Sequence, residues 1–254
     1  MTKKYDIIYS IGRDCACAMY MKKANLRLTS GPFDWLTNAG FEQRFHLMMN
    51  GFDGFLDKNL LQPMEKPAAF PADKNNNYYK NTKTDLYFWH DFPADEDFDK
   101  AYVSVKNKYD RRIERFYKNI RQKNKVLLIW FSQAHNTPDE TVSRLCNDFC
   151  KKMNKEIDFL IIEHTDGLSS LVFRQLQKNI SRCNCHARKT DDKGVPTTLG
   201  QEELLLPVFR QYKIKSASIL KIKTALIKIS TRFICLFIPV KKWRKKIRDF
   251  AKNN

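Results

Sequence analysis

Short, nearly continuous apolar runs alternate along the chain with stretches of helical periodicity, and this alternation predicts most of the architecture. Ile7 to Ile11 reads as a buried strand, Gly12 breaks it, and a helix follows from about Cys15 onward. Further strands are predicted over Asp85–His90, Lys125–Ser132, Asp158–His164 and Ile180–Ala187. Between them lie a long helical stretch, Asp95–Lys123, and a helix opened by Thr137-Pro-Asp-Glu that runs to Asn154 with Asp139 and Glu140 in its first turn. Residues 52–84, with three prolines and Asn75-Asn-Asn, read as an irregular excursion, either a lid or a surface insertion. Apolar strands alternating with helices predict an α/β fold: a layered, mostly parallel sheet flanked by helices, occupying residues 1–210.

Residues 211–254 form a second, different segment. They carry 13 Lys and Arg against one acid, Asp249, which leaves 33 basic and 27 acidic side chains in the rest of the chain. Most of the net charge of +18 therefore belongs to this tail. Ile214, Ile219, Leu220, Ile222, Leu226, Ile227, Phe233, Ile234, Phe237 and Ile238 are interleaved with its lysines, and Pro239 separates two helical pieces. The longest uncharged stretch, Phe233–Val240, has eight residues, whereas a bilayer-spanning helix needs about 20. The pattern predicts an amphipathic basic helix lying on an anionic membrane surface, with Lys241, Lys242, Arg244, Lys245 and Lys246 on lipid headgroups and Trp243 as the aromatic anchor. A partner-binding helix and a nucleic-acid contact are the competing readings. The richness in Ile and Phe speaks against nucleic acid.

Seven cysteines, an odd number, are scattered as Cys15, Cys17, Cys146, Cys150, Cys183, Cys185 and Cys235. Met1-Thr-Lys-Lys-Tyr runs directly into the first strand without a secretory pattern, so reduced thiols and a cytoplasmic protein peripheral to the inner membrane are expected. Cys183-Asn-Cys185-His186 lacks a second pair at zinc spacing, and neither a metal nor a cofactor is expected. Cys146 and Cys150, four apart on a predicted helix, read as core residues. Cys15 is different. A thiol at the first turn of a helix meets free N–H groups and the positive end of the helix dipole, which favour a thiolate and a lowered pKa. A small apolar side chain filling a tight turn would occupy the same position.

In open α/β sheets the functional crevice lies beyond the carboxyl ends of the strands. On this pattern the crevice receives Gly12 to Cys15, His90-Asp91, Ser132 to His135, and Glu163-His164, so that one thiol and three imidazoles share an edge. Lys108, Arg111, Arg112 and Arg115 recur along one helix, as a solvated face or as a strip that binds phosphate or carboxylate.

Ser10-Ile-Gly-Arg-Asp-Cys-Ala-Cys-Ala, Gly31-Pro-Phe-Asp-Trp-Leu, His90-Asp-Phe and Lys108-Tyr-Asp-Arg-Arg-Ile-Glu-Arg-Phe together resemble a bacterial family of papain-like cysteine peptidases classed as a domain of unknown function. The resemblance spans about residues 5–190. It implies Cys15 as nucleophile and His90 as general base, with Asp91 or Asp34 orienting the imidazole. Gly12, Arg13, Trp35, Ser132, His135 and His164 are then the candidates for lining a peptide, amide, ester or glycan substrate. Pro32-Phe-Asp-Trp35 also reads structurally, with Phe33 and Trp35 packed and Asp34 accepting a buried hydrogen bond. Two other functions fit the chain: a transferase or accessory protein of cell-surface polysaccharide assembly, and a noncatalytic membrane-associated binding module.

Overall fold

The computed structural model describes residues 3–65, 75–134 and 137–216. The chain divides into two units, Met1–Ile214 and Lys215–Asn254, and nearly all of the second, with the predicted membrane helix, lies outside the described residues.

In the first unit, β1 (Lys3–Tyr5) is followed by β2 (Ile7–Ser10) and, after the Gly12 turn, α1 (Cys15–Lys23). The chain then builds β3 (Leu36–Asn38), α2 (Phe41–Met49), β4 (Leu61–Met64), β5 (Asn76–Asn81) and β6 (Leu86–Pro93). It returns through the long α3 (Phe98–Gln122) to β7 (Val126–Ser132), α4 (Asp139–Met153) and β8 (Asp158–His164). Last come β9 (Val172–Gln177), β10 (Ile180–Cys185), α5 (Glu202–Arg210) and β11 (Tyr212–Ile214).

The α/β class and the mostly parallel sheet stand as expected. Five strands are ordered β2-β7-β8-β10-β9; the first four run parallel and only the edge strand β9 is antiparallel. Every residue of β7 is buried, as a strand covered on both faces requires. Its run Val-Leu-Leu-Ile-Trp-Phe supplies apolar surface to both layers.

The structure corrects the expectation for residues 52–93. β6 does not join the parallel sheet; it is the second strand of a separate antiparallel sheet ordered β3-β6-β5-β4. Residues 61–64 and 76–81, read as irregular, are two of its strands. The physical reason is the spacing of the buried positions. Leu86 and Phe88 are buried and Tyr87 is not, the period-two signature of a half-buried antiparallel strand. One core joins both sheets and α3: Phe33, Phe45, Phe52, Phe55, Phe88, Tyr109, Phe116 and Trp130 belong to it.

Candidate active site

Gly12 makes the strand-to-helix turn possible. It is buried, and a Cβ there would sit 2.6 Å from Cys17 Cβ and 3.1 Å from the backbone N and O of Phe131. α1 can thus pass close over β7, with Arg13 N–H donating to Phe131 O at 3.0 Å. Asp14 caps the helix, its carboxylate accepting from Ala16 N–H at 2.8 Å. Cys15 is the first helical residue and is half-buried, while Cys17 is fully buried with its thiol on Ile129 O.

Two further groups act on Cys15. Arg44, fully buried on α2, donates through Nε to Ala39 O at 3.0 Å and through Nη2 to Arg13 O at 2.9 Å and Leu36 O at 3.0 Å. It ties the Cys15 turn to β3, and its Nη1 has no hydrogen-bond partner among the described residues. Asp91 brings a carboxylate from β6. The expected lowering of the Cys15 pKa is reversed. Burial, followed by the charge of Asp14, pushes the thiol up to about 12; Arg44 and the residue's own N–H pull the other way, and Asp91 adds to the rise. Burial also raises Asp14 to about 6 and lowers Arg44 to about 9.

The pairing of β5 with β6 advances two residues on β5, Asn77 to Tyr79, while it advances four on β6, Phe92 to Phe88. Trp89, His90 and Asp91 therefore occupy a bulge, a device that re-aims side chains. His90 is exposed, and Asp91 is turned inward. Asp91 accepts from Lys108 Nζ at 2.5 Å and from Tyr109 Oη at 3.0 Å. Trp35, His90, Asp91, Lys108 and Arg112 line one cleft of about 380 Å³.

Asp34 is buried and accepts from Arg27 Nε at 2.7 Å and Gly31 N–H at 3.0 Å, with burial raising its pKa against Arg27. Phe33 is in the core, and Trp35 is half-buried with the Arg27 guanidinium 5.5 Å from its ring centroid. Arg13 donates to Asn38 at 3.2 Å. Ser132 is buried at the end of β7, its Oγ accepting from Ala134 N–H at 3.2 Å. His135 and Lys241 to Lys246 lie outside the described residues.

His164 is buried as the last residue of β8. Its Nδ1 accepts from Ala187 N–H at 3.0 Å and its Nε2 faces Asp166 at 2.8 Å. With His186 these residues place three ligand-type atoms within 4.8 Å of one another. A cation on Nε2 would need the ring proton on Nδ1, where it would face the Ala187 N–H, so the pair reads as a donor and its carboxylate. Glu163, wholly buried, collects Trp130 Nε1 at 2.8 Å, Thr137 N–H at 2.9 Å and the Arg182 guanidinium, anchoring the start of α4.

The structure thus brings His90 and Asp91 together at one cleft and places Cys15, at the start of α1, where the charge of Asp91 acts on it. Sequence reasoning missed Arg44, and its signal was a charged residue on the apolar stripe Phe41, Phe45, Met48. It left Lys108, Arg112 and Arg115 undecided. All three turn partly toward the body, Arg115 reaching Ser30 O at 3.0 Å, while Arg111 is exposed.

A family model described as "Putative papain-like cysteine peptidase (DUF1796)" matches residues 6–167. The chain belongs to this family. The matched stretch contains every residue of the cleft together with Cys15 and Arg44. An "Uncharacterized protein R408" of Acanthamoeba polyphaga mimivirus is 29% identical over 178 residues, covering 65% of this chain and 80% of that protein. No solved structure matches the chain.

Proposed function

We propose that this family member is a thiol hydrolase in which Cys15 attacks an amide or ester carbonyl, working at an anionic membrane surface reached through residues 215–254. Tyr212–Ile214, counted with the tail in the sequence, form the strand β11 paired with β1 instead. The observation that carries the reading is the placement of a half-buried thiol at the first residue of α1, within reach of the charge of Asp91 beside His90. With its pKa pushed up, Cys15 rests as a neutral thiol, so attack needs a proton acceptor in the same step. His90 takes the thiol proton as the C–S bond forms, then delivers it to the leaving nitrogen or oxygen as that bond breaks. Water subsequently hydrolyses the thioester and regenerates the thiol. Ala16 N–H is already held by Asp14, so other first-turn amides of α1 face the oxyanion. Asp91, held by Lys108 and Tyr109, fixes the β6 bulge that carries His90. Asp34 holds the turn ahead of Trp35.

The test is acetylation by p-nitrophenyl acetate, read cysteine by cysteine by mass spectrometry. Cys15 should be acetylated faster than Cys150, the other half-buried thiol among the described residues, and the difference should vanish in His90→Ala. Equal rates at the two thiols, or an unchanged rate in His90→Ala, would sink the assignment.

A further inference from the structure

Of the cations of α3 that turn partly toward the body, Arg112 makes no hydrogen bond among the described residues. Lys108 is held by Asp91 and Arg115 by the Ser30 carbonyl. The two buried carboxylates of this region are both engaged, Asp91 by Lys108 and Tyr109, Asp34 by Arg27 and the Gly31 amide. Arg112 lies between these pairs and is bonded to neither. Its guanidinium carbon sits 5.1 Å from the Tyr109 ring centroid, and its Nη1 is shielded from water with no hydrogen-bond partner among the described residues. Arg112 as a whole is only half-buried, so the rest of the side chain stays open to the cleft. Arg112 also lines the cleft of about 380 Å³, whose other walls are Trp35, His90 and the ion pair of Lys108 with Asp91.

We infer that this cleft binds an anionic group of the substrate, a phosphate or carboxylate, through the guanidinium of Arg112, with Trp35 as the wall against which the rest of that group packs. Arginine's guanidinium pairs strongly with either anion, and because Lys108 is neutralised by Asp91 the uncompensated charge of the cleft is that of Arg112. The substrate class follows from the proposed function and refines it: an amide or ester that carries a negative group next to the bond cleaved.

The experiment titrates the full chain calorimetrically with inorganic phosphate and, separately, with acetate. Wild type and Cys15→Ser should bind at least one of the two saturably and equally, which keeps the binding claim separate from the fate of the nucleophile. Arg112→Gln should weaken binding about tenfold or more, the loss expected for one charge-assisted pair. Arg112→Lys, which keeps the charge and loses the fork, should fall between, and it carries the test if the glutamine variant fails to fold. Arg111→Gln, on the exposed side of the same helix, should bind as wild type does. Absence of saturable binding of both anions in wild type, equal binding by the Arg112 variants, or an equal loss in Arg111→Gln would overturn the inference. If Arg112-dependent binding persists while Cys15 proves unreactive toward the acetyl ester, the anion site stands and the hydrolase reading falls.

Discussion

At Cys15 two effects of opposite sign meet, and the larger one is burial. The helix N-terminus and Arg44 favour a thiolate, but desolvation and the carboxylates of Asp14 and Asp91 outweigh them. Asparagine caps a helix about as well as aspartate does, so Asp14→Asn should keep α1 and remove one of these charges. We expect the pH profile of Cys15 alkylation to move to lower pH in that variant; a profile that stays put would show that solvent already screens Asp14. The same carboxyl also shapes stability. Its folded pKa, about 6, lies above its ordinary value, so the native state holds that proton more tightly than the unfolded chain does. The stabilisation is full below about pH 4 and is lost as the pH rises through about 6. Denaturant melts between these limits should therefore show wild type losing more stability than Asp14→Asn. Arg44→Met acts in the other direction. It strands the carbonyls of Ala39, Arg13 and Leu36, and should cost about 3 kcal/mol or more while raising the Cys15 profile further. Unchanged stability would mean that the three carbonyls find other donors. The place of Cys15 was readable in the sequence because a Gly between an apolar run and a helical pattern marks a turn. The sign of its pKa was not, because it is set first by burial, which depends on how distant parts of the chain pack over the turn, and only then by the adjacent Asp14.

At the scale of elements, close approach sets the site. α1 lies so near β7 that only glycine fits at position 12, so Gly12→Ala should destabilise the chain by about 1–3 kcal/mol and slow acetylation of Cys15 by displacing the helix start. Gly40→Ala is the matched control. Nothing lies within 4 Å of the added carbon and φ is −71°, so stability should stay within about 0.5 kcal/mol of wild type. Equal effects from the two substitutions would remove the close-packing argument. The strands β7 and β8 were legible because an apolar run buried on both faces has no other comfortable place. β6 was visible as a strand but was placed in the parallel sheet, although the alternation at Leu86 and Phe88 carried the information that it belongs to a half-buried antiparallel one. The bulge at Trp89–Asp91 leaves no mark in composition, since it exists only in the register between two strands. On α3 the buried stripe Ala101, Val105, Tyr109, Phe116 and Ile120 fixes which cations turn inward. Residues one position away from that stripe, such as Lys108, lie at its border, and charge alone could not tell a solvated face from a binding face.

For the whole molecule the charge map divides the labour. The first unit carries the site and 34 basic against 27 acidic side chains, whereas the second, Lys215–Asn254, concentrates +11 among aliphatic residues. Among the described residues no helix is long and apolar enough to cross a membrane; the attachment proposed for the tail is interfacial. Such attachment has two separable components. Basic side chains respond to the potential of anionic lipid at about 1 kcal/mol each, and apolar side chains respond to the headgroup boundary whatever its charge. Replacing Lys241, Lys242, Arg244, Lys245 and Lys246 together by Gln in the full chain should nearly abolish cosedimentation with phosphatidylserine-containing vesicles. The same replacement should leave the weaker binding to pure phosphatidylcholine almost untouched. Trp243→Ala should reduce binding to both kinds of vesicle. High salt should reproduce the first effect and not the second, because screening acts on charge alone. If the five substitutions leave binding to anionic vesicles intact, lipid charge does not hold this segment, and a partner protein becomes its better-matched target. A loss on neutral and anionic vesicles alike would instead point to a change in the helix itself, since neutral lipid offers the lysines no field to sense.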